Sequence, residues 1–106
     1  MGNPMNRGEV WWAEVRRKRR PVLILTRPEV IDVRESVTVA EITSTGRGLA
    51  AEVPLPDPVA GITAGSVVNC DGLHTLRRAS LSNRAGELSD RTMRAVCRAV
   101  TYALGC

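Results

Sequence analysis

Glu9-Val10-Trp11-Trp12-Ala13-Glu14-Val15, the five cations Arg16-Arg17-Lys18-Arg19-Arg20, and then Pro21-Val22-Leu23-Ile24-Leu25 form the stretch that decides the fold. The first block is rich in β-branched and aromatic residues and stops where the charge begins, which reads as a strand running into a basic hairpin loop. The apolar run from Val22 to Leu25 is short and follows a proline. It therefore reads as a strand covered on both faces, and so as a central one.

Further strands follow outward from this hairpin. Val37, Val39 and Glu41 alternate with Thr38, Ala40 and Ile42, giving a third strand that runs to about Thr43. Ser44 to Gly48 carry turn chemistry. Leu49, Ala51, Val53 and Leu55 alternate with smaller or polar residues as a fourth strand, whose Pro54 places its end at a rim. After a loop through Pro56, Asp57, Pro58 and Gly61, Gly65 to Cys70 reads as a fifth strand, and Leu73 to Leu76 begins another segment. Near the C-terminus, Met93, Val96, Cys97, Val100, Ala103 and Leu104 recur at the three-and-four spacing of one helix face. Ser89 is a natural N-cap, Asp90 suits the first turn, and Gly105 offers a stop. Cys97 lies on the apolar stripe and is expected to be a buried core thiol rather than a nucleophile. The expected fold is mainly β with α, an antiparallel barrel or half-barrel packed against a C-terminal helix, with an SH3-like small β-barrel as the first choice.

Composition bounds what such a barrel does. A chain of 106 residues holds one core, so a single domain is expected over residues 7–106, behind a loose tail of residues 1–6. Aromatic residues make up only 3%, which disfavours a ladder of rings stacking exposed bases. The net charge of +4 is concentrated at Arg16 to Arg20, a cluster suited to a polyanion. Three cysteines without a CxxC spacing indicate neither a disulfide framework nor a zinc site, so no metal and no cofactor are expected. No leader and no membrane-length apolar run is read, and the expected location is the cytoplasm.

Taken in order, Arg7-Gly8-Glu9-Val10-Trp11, Arg20-Pro21-Val22-Leu23-Ile24-Leu25 and Ala40-Glu41-Ile42-Thr43-Ser44 resemble the MazF/PemK family of toxin endoribonucleases. Asn69-Cys70-Asp71-Gly72-Leu73-His74-Thr75-Leu76 resembles the family's fifth-strand segment, and Leu88-Ser89-Asp90 with Met93 its final helix. The order and spacing of these motifs, rather than any one of them, carry the likeness, which covers nearly the whole chain from Arg7.

The resemblance implies a metal-independent, sequence-specific endoribonuclease toxin acting on single-stranded RNA. The RNA's own 2′-hydroxyl would attack, leaving a cyclic phosphate and a free 5′-hydroxyl. It implies Arg20 as principal catalytic arginine, a guanidinium that stabilises transition-state charge rather than accepting a proton. Thr43 matches the catalytic threonine, its hydroxyl directed at a phosphate oxygen, with Ser44 and Thr45 assisting. His74, the only histidine, is chemically the best-suited proton carrier, although some relatives carry arginine there. Asp71 matches an acid of the PemK branch, but Asn69 replaces that branch's arginine. The proton carrier is thus open among His74, Asp71 and Glu14. Arg16, Arg17, Lys18 and Arg19 are expected to grip phosphates without reading sequence, with Ser44, Thr45, Arg47 and Asn69 also in the RNA-binding surface. Sequence choice would fall to loops near Thr45 to Arg47 and Asp57 to Ile62. Implied partners are a second copy of the chain and an acidic-tailed MazE-like antitoxin. The competing expectations are a non-catalytic CcdB-like topoisomerase poison on the same fold and a plain nucleic-acid-binding SH3-like module.

Overall fold

The computed structural model describes residues 4–56 and 59–106. Six antiparallel strands form one sheet: β1 (Glu9–Val15), β2 (Lys18–Ile24), β3 (Ser36–Thr43), β4 (Glu52–Pro54), β5 (Val67–Arg77) and β6 (Leu81–Glu87). A helical turn α1 (Pro28–Ile31) follows β2, and a long helix α2 (Asp90–Leu104) ends the chain. The strand order is β4-β5-β3-β2-β1-β6, so β2 is central as expected. The sheet is open, with β4 and β6 as its edges. The mainly-β architecture with a C-terminal helix therefore holds, and of the expected barrel or half-barrel it is the open form, without a closing ladder among the described residues.

Both faces of the central strands are buried. Trp11, Ala13, Val22, Ile24, Val37 and Val39 enter one core with Met5, Ile31 and Leu81. Val10, Leu23, Ala40 and Ile42 enter the other, with Val53, Val68 and Cys70 and with Val96 and Ala99 of α2. Alternation along each strand thus feeds two cores, and the continuous apolar run Val22-Leu23-Ile24 is the result. Met5 is 3% exposed, and the Asn6 N–H donates to Glu9 Oε1 at 2.8 Å. The expected loose tail is accordingly corrected at Met5 and Asn6, which belong to the folded body.

The strand ends differ from the expected ones for identifiable reasons. β2 begins at Lys18 and absorbs most of the basic run, leaving only Arg16 and Arg17 to turn the hairpin. β4 keeps three residues, because Pro54 has no N–H and Glu52 ties down the loop before it. The segments at Gly65 to Cys70 and Leu73 to Leu76 are one strand, β5. Ala40 pairs with Leu73 but Glu41 pairs with Asn69, so Cys70, Asp71 and Gly72 form an excursion that bends β5. β6 carries Ser82, Asn83, Arg84 and Gly86, poor strand formers that gain their strand from pairing with β1.

Ser89 caps α2 by accepting the Thr92 N–H at 3.2 Å, and Gly105 ends it at a left-handed φ of 72°. The face that α2 buries is centred on Thr92, Val96 and Ala99. The expectation of a buried Cys97 is corrected: its thiol is exposed. Leu104 is 61% exposed as well. Periodicity located the stripe but not its centre, and Arg7 lies over the flank where Cys97 sits, Nη2 2.9 Å from Sγ.

Glu9 joins the N-terminal segment and its own strand β1 to the edge strand β6. Its carboxylate accepts from Asn6 N–H, from Trp11 Nε1 at 3.1 Å and from Arg84 Nε of β6 at 2.7 Å. Burial pushes this carboxyl up, but the hydrogen bonds from Arg84, Asn6 and Trp11 outweigh it and hold the group below its ordinary 4.5. A depressed folded value means stability that is present above the unfolded value and lost as pH falls through the folded one. Glu9→Gln is therefore expected to cost about 1–2 kcal/mol at neutral pH, Arg84 being partly solvent-screened. Denaturant melts of both proteins check this, and the gap between them should close as pH drops below the ordinary carboxyl range.

Candidate active site

Strand alternation places Arg20 on the same face as Val22 and Ile24, beyond the last buried residue of β2, and Thr43 on the face of Glu41 at the end of β3. Arg20 and Thr43 line one cleft of about 310 Å³. Lys18, Arg19 and Ser44 share its polar wall, and Trp12, Ile42 and Ile62 give an apolar one. Among the described residues Thr43 Oγ1 makes only a long contact, 3.5 Å, to the Thr45 carbonyl, so its hydroxyl is available to a ligand.

The basic residues divide into distinct settings. Arg19 is fixed, donating through Nη1 to Ser82 Oγ and through Nη2 to Asn83 Oδ1, both at 2.9 Å, with its guanidinium 5.4 Å from the centre of the Trp12 ring. Lys18 is exposed. Arg16 and Arg17 make the two-residue turn at φ of 51° and 66°, a left-handed conformation that such turns normally give to Asn and Gly.

Behind the cleft lies a group that sequence reasoning missed. The Glu41 side chain is only 6% exposed, and three basic side chains converge on it. Arg16 Nη2 donates to Oε2 at 3.0 Å. His74 Nε2 is 3.1 Å from the same oxygen, and Arg20 Nε is 3.7 Å from Oε1. Neither of these two nitrogens has the alignment of a hydrogen bond, although both are buried. His74 reaches the site because it pairs with Val39 across β3 and β5 and so shares the face of Glu41. The signal that could have found Glu41 was a carboxylate between Ala40 and Ile42 in an otherwise apolar strand.

The remaining expected residues lie around this centre. Asp71 is exposed on the β5 excursion, with its N–H donating to Asn69 Oδ1 at 3.1 Å, and it does not line the cleft. Asn69 pairs with Glu41 across the strands. Thr45 and Arg47 are exposed on the loop after β3. That loop is held by Glu52, whose carboxylate accepts the N–H groups of Leu49 and Arg47 and is kept below its ordinary value by them. Of the loop expected near Asp57 to Ile62, Gly61 and Ile62 line the cleft, while Asp57 lies outside the described residues. Glu14 is exposed and pairs with Arg19 across the hairpin. Cys70 is buried, and burial, with the nearby Asp71 charge, pushes its thiol up to about 11. It is a packing residue.

Residues 6–104 match the family described as PemK-like, MazF-like toxin of type II toxin-antitoxin system. The chain belongs to this family. It is 44% identical over 101 residues to the probable endoribonuclease MazF5 of Mycobacterium tuberculosis, covering 94% of this chain and 93% of that one. It is 51% identical over 71 residues to endoribonuclease MazF3 of the same species, covering 67% of this chain and 68% of the other. Among solved structures, Mycobacterium tuberculosis toxin MazF-mt6 superposes with a TM-score of 0.83 at 41% identity, over 92% of this chain and 96% of that one. An endoribonuclease in complex with its cognate antitoxin from a mycobacterial species gives 0.85 at 26% identity, over 96% of each chain.

The two left-handed arginines are strained whatever they bind. Arg17→Gly relieves one of them and is expected to raise stability by up to about 1 kcal/mol, part of the relief being offset by the freer unfolded chain. A urea midpoint unchanged or lowered would count against strain at this turn.

Proposed function

We propose that this MazF/PemK-family protein is a cytoplasmic endoribonuclease toxin that cuts single-stranded RNA at a sequence-defined position and is neutralised by a cognate antitoxin. The observation that carries the reading is the shared cleft of Arg20 and Thr43, flanked by Lys18 and Arg19, in a chain similar to proteins named endoribonucleases along nearly its full length. In this reading the RNA 2′-oxygen attacks the adjacent phosphorus, the bond from phosphorus to the 5′-oxygen breaks, and the products are a cyclic phosphate and a free 5′-hydroxyl. Arg20 clamps the non-bridging oxygens and stabilises the charge that grows on them. Thr43 donates its hydroxyl to one of those oxygens. The 2′ proton and the proton for the leaving oxygen fall to a carrier among His74, Asp71 and Glu14, of which His74 is the one held beside Arg20 at the Glu41 carboxylate. Because the nucleophile is supplied by the substrate, the step has no need of a metal-bound water.

Arg16, Arg17, Lys18 and Arg19 hold backbone phosphates, aided by Asn69, while Ser44, Thr45 and Arg47 with the Gly61–Ile62 wall meet the bases. The positive cleft suits an acidic antitoxin segment as well as RNA. A solved relative in complex with its cognate antitoxin supports that partner. A homodimer completes the reading. Among the described residues no helix is long and apolar enough to cross a membrane.

Purified protein is expected to cut a mixed RNA pool in the presence of EDTA, and sequencing the ends gives the preferred site. Arg20→Ala and Thr43→Ala are each expected to lower the rate by about a hundredfold or more with little change in the thermal melt. Wild-type rates in either variant would sink the site. Binding of RNA without cleavage would return the chain to a simple binding module.

A further inference from the structure

We propose that Glu41 is the positioning residue of this site, a buried carboxylate that sets the orientation of Arg20 and the spacing of Arg20 and His74. The inference rests on the endoribonuclease reading and deepens it. A carboxylate at 6% side-chain exposure in a sheet otherwise apolar on that face is costly unless cations compensate it. Two arginines do, and the His74 ring joins them; two of these three groups are placed at the reaction, Arg20 Nε facing Oε1 at 3.7 Å and His74 Nε2 facing Oε2 at 3.1 Å. Arg16, whose side chain is 71% exposed, ties the same Oε2 to the hairpin tip at 3.0 Å. With Nε turned inward to the carboxylate, the Arg20 fork keeps its outer nitrogens for phosphate. Without the carboxylate, the Arg16 and Arg20 guanidiniums would repel one another and nothing would hold the His74 ring beside Arg20.

The backbone makes room for this carboxylate. The excursion in β5 sets Gly72 directly over it: a Cβ at that position would lie 2.9 Å from Glu41 Oε2 and 3.0 Å from Asn69 Nδ2. Any other residue there would push the tip of Glu41 aside. That tip is the movable end of a side chain, so Gly72→Ala displaces the carboxylate while leaving every charge and the fold in place.

The test compares wild type, Glu41→Gln and Gly72→Ala. Cleavage is measured under saturating RNA, affinity with a fully 2′-O-methylated RNA that cannot be cut, and the Arg20 Nε–H signal by proton–nitrogen NMR. Both variants are expected to lower kcat by about tenfold or more. In Glu41→Gln the affinity for the uncut RNA should be unchanged or tighter, since a negative charge has left a cationic site. The Arg20 Nε–H signal should shift and broaden in both. A folded variant that keeps the wild-type kcat and the wild-type Arg20 signal overturns the proposal, as does one whose only defect is a lower melting temperature. Should Glu41→Gln fail to fold, Gly72→Ala carries the test alone. Wild-type protein that cuts no RNA would defeat the endoribonuclease reading, and the Arg20 signal would then decide the positioning role by itself.

Discussion

The structure depends on one constraint: the central strands are apolar on both faces, and a chain of 106 residues must cover both. α2 lies on one face through Val96 and Ala99. The sheet must largely cover the other by curling, with Met5, Ile31 of α1 and Leu81 of β6 filling the concave side. This explains why poor strand formers such as Asn83 and Gly86 are recruited as an edge strand. It also explains why β5 is bent at Cys70-Asp71-Gly72 instead of running straight past β3.

The same bend creates the site. Where Ala40 gives way to Glu41 along β3, the partner strand steps outward, and a buried carboxylate replaces the apolar residue that alternation would otherwise place there. Arg20 from β2 and His74 from β5 arrive at this carboxylate because their strands flank β3 on either side. Three residues far apart in sequence are thereby set within reach of one another by sheet order and register.

Much of this was legible in the residues. The run Val22 to Leu25 announced a central strand, Ser89 and Gly105 marked the ends of α2, and the two residues singled out by resemblance, Arg20 and Thr43, line one cleft. What sequence could not supply was register. Val39 opposite His74 and Glu41 opposite Asn69 follow from a shift that no local pattern encodes, so Glu41 looked like one more alternating residue. The burial of α2 failed in the same way: a stripe can be read, but which part of it meets the sheet depends on the sheet. The basic run read as a loop, yet pairing with β1 drew Lys18, Arg19 and Arg20 into β2.

Local rules are obeyed through most of this molecule and broken at one end of it. Arg16 and Arg17 occupy left-handed backbone in a turn that favours asparagine and glycine. Arg20 Nε and His74 Nε2 are buried without an aligned acceptor, and Glu41 is a charge where the alternation calls for an aliphatic side chain. Each departure costs free energy, and all but Arg17 meet at the Glu41 carboxylate beside the Arg20–Thr43 cleft. The well-packed sheet supplies the stability that tolerates them. A merely structural ion pair would have no need of a strained hairpin to deliver Arg16 or of a glycine to admit its carboxylate. Their convergence on one carboxylate is what separates this cluster from the Glu9–Arg84 pair at the opposite end of β1. There, in contrast, every donor facing the carboxylate is aligned with it.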